Sequence, residues 1–361
     1  MSLKAAFCKH TLNFKFDAGT SRGVLKTKDS YFIKIYDELN PETFGLGEAS
    51  PLRGLSVDFK EDLNPFLDLF ISRFNKSELT MEEANESIES GLFLSWPSIR
   101  FAFEMALLDL KGGGRRILYN NEFAKAKGEI EINGLIWMGD EAFMSKQIVE
   151  KLKEGFKTIK MKIGAIDFDT EYKLLKTIRS QFNAEELTLR VDANGAFSAD
   201  EARGVLADLS KLNIHSIEQP IKANQWDEMA KLCESTPVPI ALDEELIGIV
   251  GNAQPELLDH VKPQFVIFKP TLLGGFKATD QWMALAKARN IDWWLTSALE
   301  ANIGLNAICQ YTFFKGNTLP QGLGTGSLFD NNIPSPLLVE QGYIHANGGE
   351  NWNLSLLNFE N

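Results

Sequence analysis

Cysteine is scarce in this 361-residue sequence: Cys8, Cys233 and Cys309 are odd in number, widely spaced and form no C-x-x-C pair. That excludes a disulfide framework and a cysteine-based zinc site, and it fits a reducing cytosol. Long apolar runs are missing as well. No stretch approaches the ~20 apolar residues of a membrane span, and charge interrupts Met1-Ser-Leu-Lys-Ala-Ala-Phe-Cys-Lys-His10 before a secretion signal could form. The expectation is a soluble, cytoplasmic protein with no membrane partner. Cations are outnumbered, 37 Lys and Arg against 49 Asp and Glu, for a net charge of −12 and a pI near 5.0. Nucleic acid is therefore excluded as a partner, and an anionic small molecule would need locally placed cations.

What remains is ordinary globular material, 44% hydrophobic and 24% charged, long enough for a barrel of roughly 200 residues plus a second unit. Phe7 to Phe16 and Tyr31 to Tyr36 alternate as antiparallel strands, and Asp17 to Asp29 reads as a long polar connection. Val57 to Leu110 is helical in period, with Pro97 suited to a first helical turn and Lys111-Gly-Gly-Gly-Arg-Arg116 marking the stop. Strands followed by helices, without alternation, make an α+β unit. We place this capping domain at residues 1–127, completed by the tail 328–361, with a barrel at 128–327.

The barrel is read from a ruler. Arg190-Val-Asp192, Ser216-Ile-Glu218 and Ala241-Leu-Asp243 each end a buried apolar stretch on an acid, at intervals of 26 and 25 residues. That is about one strand-helix unit. The same ruler lands on Lys162 before them, and on Lys269 and Ser297 after them. Six strands thus deliver polar residues at one end, and a (β/α) barrel gathers its strand ends around an active site. Glu131 to Trp137 is the expected first strand, and Leu319 to Ser327 a glycine-rich last one, giving a modified TIM barrel, (β/α)7β.

A single acid at a strand end is usually a helix cap. Three in register, without His or Cys beside them, are hard oxygen ligands for Mg²⁺, or Mn²⁺ as a substitute. Lys160 and Lys162 point to one face of their strand, where each would depress the other's pKa and make a general base. Lys269 comes from the far side. A base, a dication and an opposing ammonium suit removal of a proton α to a carboxylate, whose enediolate needs that charge.

Thr158-Ile-Lys-Met-Lys162, Arg190-Val-Asp-Ala-Asn194, Ile217-Glu-Gln-Pro220, Ala241-Leu-Asp-Glu244, Phe268-Lys-Pro270 with Gly274-Gly275, and Ser297-Ala-Leu-Glu300 resemble the muconate-lactonising-enzyme subgroup of the enolase superfamily. Leu25-Lys-Thr-Lys28, Gly47-Glu-Ala-Ser-Pro-Leu52, Ser98 to Leu110 and Asn133-Gly-Leu-Ile-Trp137 are similar, within it, to the o-succinylbenzoate synthase family. The resemblance implies Mg²⁺ on Asp192, Glu218 and Asp243, Lys162 as the base of a syn dehydration, and Lys269 facing the enediolate from the other side. The reaction it implies turns 2-succinyl-6-hydroxy-2,4-cyclohexadiene-1-carboxylate into 2-succinylbenzoate, in menaquinone biosynthesis. Lys160 would hold the substrate carboxylate, with Asn194, Ser297 and Glu300 in the substrate-binding set, and a Thr20 to Lys28 loop would bring Arg22 and Lys26 over the succinyl end.

Absences sort the relatives. Acid-sugar dehydratases use a His on the seventh strand, and Trp293-Trp-Leu-Thr-Ser297 has none. Dipeptide epimerases carry Asp-x-Asp after the eighth strand, where Gln321-Gly-Leu-Gly-Thr-Gly326 has no acid. N-acylamino acid racemisation needs the same lysines and metal and is the leading alternative, ahead of cycloisomerisation. A barrel that binds metal or ligand without turnover is the alternative of another class. Oligomeric state is left open by the sequence.

Overall fold

The computed structural model describes residues 2–20 and 23–359. An antiparallel sheet comes first, from β1 (Leu3–Thr20), β2 (Gly23–Asp37) and β3 (Asn40–Ala49). β1 and β2 pair from Leu3 opposite Asp37 out to Thr20 opposite Gly23, with a register shift between Asn13 and Ala18. The stretch 17–29, expected as a polar connection, is therefore mostly paired ribbon. Its Gly23 to Thr27 segment is largely exposed, so no buried face imposed the alternation that marks a strand.

Helices α1 (Leu63–Lys76) and α3 (Pro97–Lys111) pack against this sheet, and α2 (Met81–Ile88) packs on α3. Thr80 and Glu83 form a capping box on α2, and Pro97 opens α3. The Gly-Leu-Gly of β3 has a steric reason. A Cβ at Gly45 or Gly47 would lie 1.8 Å from the Ala106 or Ala102 carbonyl oxygen of α3. Only glycine lets helix and strand backbones approach so closely.

The chain then alternates: β4 (Glu129–Glu131), β5 (Gly134–Ile136), α4 (Glu141–Lys153), β6 (Thr158–Lys162), α5 (Phe168–Gln181), β7 (Thr188–Asp192), α6 (Ala199–Ser210) and β8 (Ser216–Glu218). It continues through α7 (Trp226–Ser235), β9 (Ile240–Leu242), α8 (Ala253–Val261), β10 (Phe265–Phe268), the short α9 (Pro270–Leu273), α10 (Phe276–Lys287), β11 (Asp292–Leu295) and α11 (Asn302–Lys315). Strands β5 to β11 form one parallel sheet in chain order. Its two edges meet through Gln321 and Gly322, which bridge to Ile132 on one side and Thr296 on the other. Seven strand-helix units and a two-residue eighth strand close the barrel, so the fold is the expected (β/α)7β barrel with a separate antiparallel N-terminal sheet.

The first barrel strand differs from its expected span. Glu131 belongs to β4, which pairs with the tail hairpin of β12 (Leu337–Glu340) and β13 (Tyr343–Ala346), and only Gly134–Ile136 joins the parallel sheet. Residues 329–333 of the tail lie along β1, where Phe14 bridges Phe329 and the Asn331 side chain bonds Asn13 N at 2.8 Å. Apolar side chains of α4 to α11 and of the strands share one core. Among the described residues no helix is long and apolar enough to cross a membrane.

Candidate active site

Strands β6 to β10 carry charged side chains to the barrel mouth. Lys162 stands opposite Asp192, and Asp192 opposite Glu218, in the β6, β7 and β8 pairing. Asp243 follows β9 and Lys269 follows β10, so the acids occupy three neighbouring strands with a lysine strand at each end. All three acids are at most 2% exposed. Buried carboxylates need partners, and the lysines supply them.

Lys160 Nζ donates to Asp192 Oδ2 at 2.9 Å and to Glu218 Oε2 at 2.6 Å. Lys162 Nζ donates to the same Asp192 oxygen at 3.0 Å and to Asn194 Oδ1 at 2.5 Å. Lys269 Nζ bonds Asp243 Oδ2 and lies 3.9 Å from Glu218 Oε1. Burial works to lift the Asp192 carboxyl, but Lys160, Lys162 and Lys269 overcome it and hold it well below the usual carboxylate range. Burial likewise opposes the Lys160 charge, yet Asp192 and Glu218 push its pKa up. The expectation that its neighbour lysine would depress Lys160 is thus corrected: two carboxylates outweigh one ammonium. Desolvation raises Asp243 well above its ordinary value, with Lys269 pulling the other way.

Among the described residues no three Asp, Glu, His or Cys side chains stand close enough together to hold a metal ion as they are placed. Lysine ammonium groups lie between the acids instead. The donor set is nonetheless hard oxygen throughout, and Glu218 Oε1 is buried with no hydrogen-bond partner. A buried carboxylate oxygen left unsatisfied is costly, and a divalent cation would satisfy it. The residues present fit such an ion.

A cavity of ≈ 400 Å³ opens at this mouth, lined by Lys160, Lys162, Asp192, Asn194, Lys269 and Ser297 among its polar groups. Glu218 and Asp243 sit behind the lysines and do not line it. Its apolar walls include Phe16, Leu52, Leu135, Trp137, Phe143 and Leu328, which the sequence reading did not assign to the site. Leu52, Leu135 and Trp137 did lie within the quoted motifs. Phe16 gave no signal beyond strand alternation; it reaches the cavity because the tip of β1 docks on the barrel, Gly19 bridging Met138. Trp137 presents its ring 5.9 Å from Lys162 Nζ.

The remaining substrate-binding expectations divide. Ser297 lines the cavity, but Glu300 is fully buried behind it and does not. Glu300 Oε2 accepts from Ser297 Oγ at 2.6 Å and Ala298 N at 2.8 Å, so it shapes the wall from within. Lys26 is exposed, pairs with Asp17 at 3.7 Å along the ribbon and is absent from the lining. Arg22 lies outside the described residues. Beneath the acids, Arg190 plugs the barrel, its guanidinium 4.1 Å over the Trp294 ring and donating to Pro320 O at 2.8 Å.

With this geometry in place, comparison with known proteins gives concordant matches. A family model described as enolase C-terminal domain-like matches residues 144–350. An o-succinylbenzoate synthase from Desulfotalea psychrophila is 45% identical over 95% of this chain and 98% of its own length. An N-succinylamino acid racemase from Thermus thermophilus is 28% identical over 88% of this chain and 84% of its own. The crystal structure of MenC from Desulfotalea psychrophila superimposes with a TM-score of 0.84 at 41% identity, covering 96% of this chain and all of that one.

Proposed function

Since this chain belongs to the enolase superfamily, whose C-terminal domain-like model spans most of its barrel, we propose that it is an o-succinylbenzoate synthase, a hydro-lyase acting on a small carboxylate. The observation that carries this reading is the arc Lys162, Asp192, Glu218, Asp243, Lys269 at one barrel mouth, with a lysine that lines the cavity at either end. The substrate is 2-succinyl-6-hydroxy-2,4-cyclohexadiene-1-carboxylate, the product 2-succinylbenzoate, and the pathway menaquinone biosynthesis in the cytoplasm. Residues 1–127 with the tail 328–361 serve as the cap, and 128–327 as the catalytic barrel.

Asp192, Glu218 and Asp243 would hold Mg²⁺, with Mn²⁺ as a substitute. When bound, the dication supplies positive charge beside the substrate carboxylate and lowers the cost of the second negative charge that deprotonation creates there. Lys162 Nζ, in its neutral form, takes the proton from the carbon bearing that carboxylate. The ring C–O bond then breaks as the new ring double bond forms, and Lys162 returns the proton to the departing hydroxide as water. Lys269, at the far end of the arc, sets its ammonium against the enediolate from the other side. Lys160 holds the carboxylate, and Asn194, which accepts from Lys162, keeps that lysine aimed. Ser297 and the apolar walls close on the rest of the ring.

The test is direct. The cyclohexadiene precursor is supplied with and without Mg²⁺, and appearance of the aromatic product is followed by absorbance. Metal-dependent aromatisation is the expected result, and none with the metal-loaded protein would refute the reading. The two-lysine arrangement also suits racemisation of an N-succinylamino acid, in which one lysine removes the α-proton and the other returns it to the opposite face. Racemisation without aromatisation would make that the function. Loss of solvent deuterium exchange at the substrate α-carbon in both assays would favour a barrel that binds without turnover.

A further inference from the structure

A second buried ionic group lies between the N-terminal sheet and the barrel, away from the lysine-acid arc. Lys28 on β2 is 5% exposed, and its Nζ donates to Ser50 Oγ and, at 3.5 Å, to Ser30 Oγ. Ser30 Oγ donates in turn to Glu48 Oε1 at 2.8 Å. Glu48 leaves the sheet side and enters the barrel side: Oε1 accepts from Ala301 N at 2.7 Å and Oε2 from Gly304 N at 2.8 Å. These amides belong to the start of α11, where unpaired N–H groups favour a carboxylate.

Glu300 abuts the same spot. A Cβ on Gly304 would lie 2.8 Å from Glu300 Cβ and 3.0 Å from Glu48 Oε2, so both acids press on one glycine. Glu300 then reaches outward. Its Oε1 accepts from Thr271 Oγ1 and its Oε2 from Ser297 Oγ and Ala298 N, while Ser297 Oγ accepts from Leu299 N at 3.0 Å and shares a bond with Thr325 Oγ1 at 2.7 Å. Ser297, Ala298, Leu299 and Thr325 all line the cavity.

Glu48 thus faces Lys28 through Ser30, and Glu300 stands beside Glu48 across Gly304. Burial lowers the Lys28 pKa against the pull of Glu48 and Glu300, and burial raises Glu48 against the pull of Lys28. Without the ammonium, Glu48 and Glu300 would face each other uncompensated, and loop 297–301 would be the part able to move apart.

We propose that Lys28 is a positioning residue: acting through Glu48 and Glu300, its buried ammonium fixes the Ser297 to Leu299 wall of the substrate cavity from the N-terminal sheet. The proposal rests on reading that cavity as the substrate site. It makes the sheet part of the specificity apparatus through the interior, without touching substrate.

The test compares full-length Lys28→Met, Glu300→Gln and the double variant with the wild type. Amide hydrogen exchange across 297–304 should quicken about tenfold in Lys28→Met, the size of coupling within one hydrogen-bonded network. KM should rise about tenfold with kcat changed less. Glu300→Gln keeps the shape but removes one negative charge, so the double variant should recover most of both losses. Unchanged exchange in Lys28→Met, or a double variant worse than the single, overturns the proposal. Should Lys28→Met not fold, Glu300→Gln alone decides: its thermal midpoint should stay or rise, and a fall of several degrees overturns the charge argument. A wild type inert toward the cyclohexadiene sinks the dehydratase reading alone, because exchange still reports on the wall.

Discussion

Lys160 reaches past the neighbouring strand to Glu218, its Nζ 2.6 Å from Glu218 Oε2 while also bonding Asp192 at 2.9 Å. One ammonium therefore bridges two of the three acids that would hold a divalent ion. A cation entering there competes with a lysine already in place. The bridge helps hold Asp192 well below the usual carboxylate range, and charged oxygens are what Mg²⁺ binds.

Glu218→Gln should weaken Mg²⁺ binding by roughly tenfold or more in titration calorimetry, since it removes one of three charged ligands. Saturating Mg²⁺ should also raise the thermal midpoint of the wild type and do so less in the variant. Equal affinity in both proteins would reduce the acids to structural caps.

Lys162→Ala should cost ~10²-fold to 10⁴-fold or more in kcat, the range for loss of a positioned acid–base group. Circular dichroism and Mg²⁺ affinity should stay at wild-type levels. Dehydration at a near-native rate would remove Lys162 from the mechanism.

Glu104 on α3 accepts from Phe276 N at 2.6 Å and Lys277 N at 3.1 Å, capping α10 across the boundary between helix and barrel. Burial pushes its pKa up to about 7, against those two donors. A carboxyl whose folded pKa is raised binds more protons folded than unfolded between ~4.3 and that value, so stability falls as pH rises through this window. Glu104→Gln should flatten the slope between pH ~4.5 and 7 in urea melts. Glu171, also raised to about 7, keeps its own share of it. A slope unaltered by the substitution would contradict the assignment.

The same contact makes Gly275 irreplaceable. A Cβ there would lie 2.0 Å from Glu104 Oε2, and its φ of +100° is strained for any other residue. Gly275→Ala should destabilise by about 2 kcal/mol or more in chemical denaturation. A smaller loss would mean that Glu104 readily finds another position.

Ala-Glu-type dipeptides should not be epimerised at any rate visible to chiral chromatography. The stretch after the eighth strand offers the cavity Gly322, Gly324, Thr325 and Ser327, none of which can grip an ammonium as an acid would.

Much of this site was legible because a barrel converts sequence interval into spatial position. Asp192, Glu218, Asp243, Lys162 and Lys269 repeat with the strand-helix unit, so their convergence followed from counting. What counting lacks is direction and pairing. It could not show that Lys160 lies between two acids, or that Glu300 points away from the cavity toward Thr271. The ribbon of β1 and β2 was hidden for a different reason. The outer part of its second strand, Gly23 to Thr27, is largely exposed and mixes polar with apolar residues without alternation, which is also the composition of a loop. The division of Glu131 from Gly134 was likewise invisible, because β4 is ordered by a hairpin that begins two hundred residues later.

The eighth barrel strand amounts to two residues, and Gly322 has the Thr296 side chain within 3.0 Å of where a Cβ would stand. The lysines and acids proposed above for proton transfer and metal binding stand on β6 through β10, so on that reading this thin seam borders the cavity without taking part in the chemistry. Bulk added or removed along it would redraw the outline a ligand must match and leave the reacting atoms undisturbed. Descendants of such a barrel could trade one acyl group for another by substitutions on this side alone.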